Sequence, residues 1–263
     1  MIAGGLALAV ASAVAIAGGY ALQHSSASWL PPLTLRTPLR SLMLLVRSGP
    51  WAVGFLAGIA GWVLYVVALR LAPLSLVQAA SAGGIGVLAI GMRLHRAERL
   101  GVAAALGGLA LLALSVGSHA STGRGTVGGV VLWVVLSGVA AAVLAARATA
   151  ATLGTAAGIL YAAGDVATKA AVLGGGRLAF APVVLACHGT AFLCMQFAFQ
   201  RGSRLSSAGL AVLWTNALPI AAGMALFSEP LPGGIRGALR VVAFGLVLAG
   251  AFALSRREVI LTD

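Results

Sequence analysis

Apolar runs long enough to cross a membrane follow one another along almost the whole chain. A spanning helix needs about 20 mostly apolar residues. Runs of that kind occupy residues 2–22, 50–71, 74–93, 100–116, 127–146, 151–172, 178–200, 205–227 and 237–255. Charged or turn-forming residues separate them. The pattern predicts an all-α polytopic membrane protein with about nine transmembrane helices.

The long break between the first two runs has a helical period of its own. Thr37 and Pro38 suit the cap and the first position of a helix. Apolar side chains then recur at helical spacing, with arginines on either side: Leu39, Leu42, Met43, Val46, Arg40 and Arg47. The pattern favours a short helix at about 38–47 in the headgroup plane, and an ordinary loop is the alternative.

The composition indicates a single membrane domain over residues 1–263. Hydrophobic residues make up 60% of the chain and charged residues 8%, whereas a soluble domain carries about a quarter charged residues. Such a chain cannot cover itself with groups that water solvates. Its main solvent is therefore a lipid bilayer.

The basic residues predict an orientation and not a nucleic-acid partner. The chain has 17 Lys and Arg against 5 Asp and Glu, but the basic residues are scattered at the ends of apolar runs. If the N-terminus is outside, eleven of them fall on the inner side and six on the outer side. The positive-inside rule then favours an outer N-terminus and an inner C-terminus in the cell membrane.

The two halves of the chain are similar to each other. Ala13–Gln23 aligns with Ile159–Lys169, and the last runs of each half both end in Ala-Leu-Ser, at residues 113–115 and 253–255. Residues 1–116 therefore form a first repeat of four spans and residues 151–255 a second, with 127–146 as a connecting span and 256–263 as a short tail. An offset of five spans turns the second copy upside down, as in many secondary transporters.

Three segments carry a family resemblance. Gly61–Gln78 (GWVLYVVALRLAPLSLVQ) resembles the second-to-third span junction of the drug/metabolite transporter superfamily, nearest to its actinobacterial members and the NIPA-like magnesium transporter group. Gly164–Lys169 is similar to the start of such a repeat, and Glu229-Pro230-Leu231 to the turn before the last spans. The resemblance implies two inverted five-span repeats, or nine spans in the NIPA-like group. The tail after Ser255 is too short for a tenth span, which favours nine.

Asp165 is the acidic residue that lies well inside a predicted span. A carboxylate at membrane depth costs a few kcal/mol, so it should face a cavity or a partner. We expect a role in substrate binding or proton coupling. Lys169 follows at i+4, so a simple ion pair between the two is the alternative.

Amide and hydroxyl side chains in other spans complete the predicted binding site. Asn216 and Thr215 lie just before Pro219, whose ring breaks the helical ladder and frees the carbonyl of Thr215. A broken helix beside an amide is how transporters build midplane sites. In the first repeat, the position that corresponds to Asn216 falls in the glycine-rich segment 83–86, and Gln78 lies nearby in the sequence. Taken singly, each of these polar side chains is better explained as a hydrogen-bonding partner between helices. The same holds for His188, Gln196 and Gln200.

The remaining motifs favour packing over chemistry. His188, Cys187 and Cys194 do not share a helix face and lack a fourth ligand, so we predict packing residues and no metal site. Gly54/Gly58 and Gly154/Gly158 are GxxxG pairs that let helices approach closely, and are weak as dimerisation signals.

These observations favour a secondary transporter that moves a small organic metabolite or drug-like solute by alternating access, with no cofactor. A NIPA-like divalent-cation transporter is the first alternative. A non-catalytic membrane subunit, scaffold or flippase partner is the second, and its polar residues would lie on outer helix faces. An enzyme is not expected, since one buried acid cannot form a carboxylate dyad. A homodimer or a membrane-protein partner stays open.

Overall fold

The computed structural model describes residues 2–34, 37–72, 74–81, 84–89, 94–115, 125–227 and 233–255. Within these ranges every regular element is helical. The helices are α1 (Ile2–Ala27), α2 (Pro38–Val46), α3 (Gly49–Leu71), α4 (Leu74–Ser81), α5 (Gly84–Ala89), α6 (Arg96–Ser115), α7 (Val127–Ala145), α8 (Ala150–Val172), α9 (Ala181–Phe199), α10 (Leu210–Leu226) and α11 (Ile235–Ser255). A 3₁₀ segment, Gly175–Phe180, leads into α9, and a π-helical segment, Leu205–Gly209, leads into α10.

Five helical segments of the described chain are long and apolar enough to cross a membrane. They are Ala3–Ala27, Gly49–Leu71, Val127–Ala145, Gly175–Phe199 and Leu205–Leu226. The prediction of an all-helical, multi-pass membrane protein is confirmed at this level. The spans of α7 and α3 expose most of their apolar side chains, as helices facing lipid should.

Helix α8 is the centre of the bundle. Most of its side chains are buried, and it packs against α7, α9 and α10. Gly154 and Gly158 allow this contact, because a Cβ at either position would collide with backbone of Ser207 or Ala211. A helix enclosed by other helices can carry more polar residues than one facing lipid, which is why α8 accommodates Asp165.

Helix α1 packs along α3 through a close contact between glycines. A Cβ on Gly54 would lie 2.6 Å from the carbonyl oxygen of Gly19, and a Cβ on Gly19 would lie 2.5 Å from that of Gly54. Gly58, in contrast, has only the Gln23 amide within 4 Å. Both GxxxG pairs thus allow close packing between helices of the same chain. In the first pair, Gly54 is the glycine at which a Cβ would collide with the neighbouring helix.

The interfacial segment and the third span are seen in part. Helix α2 forms at the predicted place, and Leu42, Met43 and Val46 are about half exposed on it; its position in the headgroup plane stays a prediction. The predicted span 74–93 contains α4 and α5. Residues 82–83 and 90–93, the Glu229-Pro230-Leu231 turn and the tail 256–263 lie outside the described residues.

The prediction that the helix breaks at Pro219 is wrong. Helix α10 runs continuously from Leu210 to Leu226 with Pro219 inside it. Proline removes one hydrogen bond from the ladder, and packing of α10 on α8 and α4 holds the remaining turns together. The irregular turn of this span lies instead at its start, in the π-helical Leu205–Gly209.

Candidate functional site

A cavity of about 440 Å³ lies between helices of both halves of the chain. Side chains from α1, α3 and α4 line it on one side, and side chains from α8, α9 and α10 line it on the other. Most of them are apolar or aromatic. The predicted site residues Gln78, Asp165, Thr215 and Asn216 all reach this cavity, so the fold brings together residues up to 138 positions apart (216 − 78).

Asp165 is the acidic residue among the cavity-lining side chains, and it is 4% exposed. The Gln78 amide nitrogen donates to Asp165 Oδ2 at 2.9 Å and to the Tyr65 hydroxyl at 2.6 Å. The Tyr65 hydroxyl thereby helps to hold the Gln78 amide against the Asp165 carboxyl group. Two helices of the first half therefore orient an acid carried by the second half.

His188 faces the same carboxyl group from α9. Its Nε2 lies 3.6 Å from Asp165 Oδ1, an ion-pair distance longer than a direct hydrogen bond. Its Nδ1 lies 3.0 Å from the carbonyl oxygen of Val184. A carbonyl can only accept, so Nδ1 carries a hydrogen. A neutral ring then presents a lone pair at Nε2, and attraction to Asp165 requires a proton on one of the two groups.

Lys169 does not lie at the cavity. Its ammonium donates to the carbonyl oxygens of Leu69 at 3.1 Å and Ala72 at 3.3 Å, where α3 ends. The salt-bridge partner of Asp165 is His188. The alternative of an Asp165–Lys169 ion pair is therefore wrong, because the lysine side chain extends along α8 toward the last carbonyls of α3, which attract a cation.

Asn216 leaves one polar atom unused at the cavity. Its Nδ2 donates to the carbonyl oxygen of Val212 at 2.7 Å, which fixes the orientation of the amide. Its Oδ1 is buried and has no hydrogen-bond partner among the described residues. The neighbouring Thr215 hydroxyl reaches the carbonyl of Gly158 at 3.4 Å. Pro219 is buried in α10 and does not line the cavity.

Aromatic rings form much of the remaining wall. They are Tyr20, Phe55, Trp62, Tyr65, Tyr161 and Phe192. The rings of Trp62 and Tyr161 contact the His188 ring, with centroids 5.8 Å and 5.6 Å away. The indole nitrogen of Trp62 is a second buried polar atom with no partner among the described residues. The cavity thus offers π faces, one carboxyl group, one spare acceptor and one spare donor.

The sequence alone placed His188 between helices and did not pair it with Asp165, although the signal for that pairing was present. Helices α8 and α9 run antiparallel on either side of a short segment. Asp165 lies seven residues before the end of α8 (172 − 165), and His188 lies seven residues after the start of α9 (188 − 181). Polar residues equally far from a hairpin turn lie at the same depth and can meet.

Two other predicted polar residues hold helices together, as interhelical hydrogen bonds should. The Gln196 amide accepts from the Trp51 indole at 2.9 Å and donates to the Gln23 side chain at 2.9 Å. Gln200 accepts from the backbone nitrogen of Leu33 at 2.9 Å and donates to backbone carbonyls of Ala27, at the end of α1, and of Pro31. These residues anchor the C-terminal end of α9 against α1 and α3.

Comparison with known proteins adds one similarity. No protein-family model matches the chain, and no solved structure matches it. A stretch of 84 residues is 38% identical to a probable magnesium transporter, NIPA9, of Arabidopsis thaliana. This match covers 32% of the present chain and 24% of the plant protein, so the chain spans about a quarter of that relative. The apolar helices identify a multi-pass membrane protein, which shares one segment with a protein named as a transporter.

Proposed function

We propose that this chain is a secondary transporter that moves a small organic solute across the membrane by alternating access. The observation that carries the proposal is the cavity between α1, α3 and α4 of one half and α8, α9 and α10 of the other. Its volume of about 440 Å³ lies in the range of small-molecule sites. A site between two halves becomes accessible from alternate sides when the halves rock.

Helix pairing supports the proposal of two inverted copies. Helix α1 packs along α3, as α8 packs along α9, and these are the first two long helices of each proposed copy. Helix α4 contacts α10, and α6 packs along α11, so proposed counterparts also meet across the bundle. An approximate twofold axis in the membrane plane would produce such a pattern. In the proposed arrangement α4 and α5 together form one of about nine spans.

The burial of the polar residues favours a carrier over a scaffold. Gln78, Asp165 and Asn216 are 1%, 4% and 4% exposed and line an internal cavity. A subunit that recognises a partner would carry such residues on its outer helix faces. The outer face of α7 is instead apolar, with exposed Val131, Val135 and Val139.

Uptake into proteoliposomes tests the proposal. The probes are radiolabelled solutes that represent four charge classes: a carboxylic acid, a neutral sugar, an amino acid and an aromatic amine. We expect saturable uptake of at least one probe by the wild type. Asp165→Asn should abolish that uptake while the protein keeps its helical content and its elution volume in detergent. Failure of every probe to show saturable uptake would overturn the proposal.

The similarity to the plant protein favours a magnesium pathway as the second candidate. Mg²⁺ gives up its water reluctantly and binds through carboxylates and other oxygens. Asp165 is the one carboxylate in the described lining of the cavity, and the cavity walls are mainly apolar. An organic solute suits such walls better.

A magnesium-sensitive dye trapped in proteoliposomes decides between the two candidates. We expect no saturable Mg²⁺ entry above that of liposomes without protein. Saturable entry that an excess of organic solute does not inhibit would establish the magnesium pathway in place of the organic one.

A further inference from the structure

The polar groups of the cavity are arranged for a ligand that carries a positive charge. Asp165 and His188 are the ionisable acid and base among the lining residues, and the Lys169 ammonium is directed to the end of α3. No Arg or Lys belongs to the described lining. A carboxylate in apolar surroundings requires a cation or a proton. An anionic ligand would find no basic partner other than His188.

The aromatic walls favour an organic cation over a metal ion. Ring faces attract cations that lie within about 6 Å of the ring centre. The rings of Trp62 and Tyr161 contact His188 beside Asp165, and the Tyr20 ring contacts that of Tyr161. These rings also bury the apolar body of a ligand. A hydrated metal ion would lose water and gain a single carboxylate, that of Asp165, from the described lining.

Asn216 adds a preference for a ligand that carries a hydrogen-bond donor, such as an N–H group. Its nitrogen is committed to Val212, so the buried Oδ1 is the atom left for a ligand. An amide oxygen only accepts hydrogen bonds. The unpartnered Trp62 indole only donates, so it suits a hydroxyl or ether oxygen on the ligand. A buried polar atom without a partner is rare in folded proteins, and a ligand would satisfy both of these.

We propose that the cavity binds a protonated organic amine with an aromatic or apolar body, the ammonium lying between Asp165 and Asn216. The proposal deepens the proposed function, because it names the class of solute that the carrier would move. It can be tested separately, since binding is measured in detergent and transport in proteoliposomes.

The experiment compares three related probes on the purified full-length chain. Tyramine carries an ammonium group with N–H bonds. Tyrosol replaces that group by a hydroxyl and is neutral. N,N,N-trimethyltyramine keeps the charge and has no N–H bond. Affinities are measured by calorimetry at neutral pH. We expect tyramine to bind at least tenfold more tightly than tyrosol, as expected for a charged hydrogen bond in a buried site.

Two variants and a control show which side chains contact the ammonium group. Asp165→Asn should remove the preference for tyramine over tyrosol. Asn216→Leu should weaken tyramine roughly tenfold and leave N,N,N-trimethyltyramine unchanged. Ser137→Ala, on α7 and away from the cavity lining, should leave all three affinities unchanged. The comparison of the three probes on the wild type needs no variant, so it stands even if a substitution prevents folding.

Equal affinity for tyramine and tyrosol, or no binding of tyramine, would overturn the proposal. Equal weakening of tyramine and its trimethyl analogue by Asn216→Leu would remove Asn216 from it. If tyramine binds but does not enter proteoliposomes, the binding site stands and the transport proposal fails for this solute. If another probe is transported and tyramine does not bind, the transporter stands and the amine site is wrong.

Discussion

Gly164 lies directly against the imidazole ring of His188, so that a Cβ on Gly164 would overlap Cε1 and Nδ1 of that ring. The missing side chain lets the ring occupy the space between α8 and α9. In this position Nε2 faces Asp165, and Nδ1 faces the Val184 carbonyl. The residue before the buried acid thus determines where the histidine can lie.

Gly164→Ala should therefore displace His188 and destabilise the protein. Forcing an extra methyl group into a packed interface costs about 1–3 kcal/mol, and the Asp165–His188 pair would separate. Chemical unfolding in detergent measures the loss, and tyramine binding measures the effect on the cavity. Gly189→Ala is the matched control for stability on α9, because a Cβ there meets nothing within 4 Å; Gly189 lines the cavity, so it is no control for tyramine binding. Equal stability of the two variants would show that the His188 ring has room to move.

The Lys169→Met variant tests whether Lys169 stabilises the end of α3 or forms an ion pair with Asp165. The ammonium donates to the carbonyls of Leu69 and Ala72, and losing hydrogen bonds from a charged group costs about 1.5–3 kcal/mol. We expect a loss of that size, because methionine has similar length and no donor.

The double variant with Asp165→Asn provides the contrast. If Lys169 acts on the end of α3, the two losses in unfolding free energy should add to within about 0.5 kcal/mol. Recovery of stability in the double variant would instead support an ion pair between Asp165 and Lys169.

The sequence was sufficient to predict a multi-pass helical fold, because each spanning helix can be recognised from its own residues. Each span contributes about 20 apolar residues, and no tertiary contact is needed to recognise them. The same reasoning selected Asp165, Gln78, Thr215 and Asn216, because polar groups at membrane depth are costly and must face something. All four line one cavity.

The parts that the sequence could not predict depend on contacts between helices. Tyr65 and Trp62 are indistinguishable from lipid-facing aromatics until α3 is placed against α8. Pro219 predicts a broken helix by local rules, yet the neighbours of α10 keep it continuous. The spacing of Asp165 and Lys169, i to i+4, also satisfied a local rule for an ion pair. Each side chain instead has its partner on another helix, His188 for Asp165 and the end of α3 for Lys169. Local rules fail here because a membrane bundle offers distant partners.

Gly54→Ala should weaken the contact between α1 and α3. A Cβ on Gly54 would lie 2.6 Å from the Gly19 carbonyl oxygen and 2.9 Å from the Leu22 Cβ, so the two helices would have to separate. We expect a loss of about 1–3 kcal/mol in the free energy of unfolding. Gly58→Ala, one turn along the same helix, is the control, since only the Gln23 amide lies near it, at 3.9 Å. A loss of equal size in both variants would argue against the asymmetric contact.

The last prediction concerns how many times the chain crosses the membrane between α1 and α9. Trp29 follows α1 and is 89% exposed, and Leu178 lies between α8 and α9 and is 63% exposed. If α4 and α5 together make one crossing, α3, α4–α5, α6, α7 and α8 cross five times, so the two residues lie on opposite sides. If that segment enters and leaves on one face, four crossings place them on the same side.

Single cysteines at Trp29 or Leu178, in a background with Cys187 and Cys194 replaced, report this through an impermeant maleimide on intact cells. With an outer N-terminus, we expect Leu178→Cys to react at once and Trp29→Cys to react only after permeabilisation. Reaction of both before permeabilisation, or of neither, would contradict the nine-span topology. The reverse order would preserve the number of spans and invert the orientation that the arginine distribution favours.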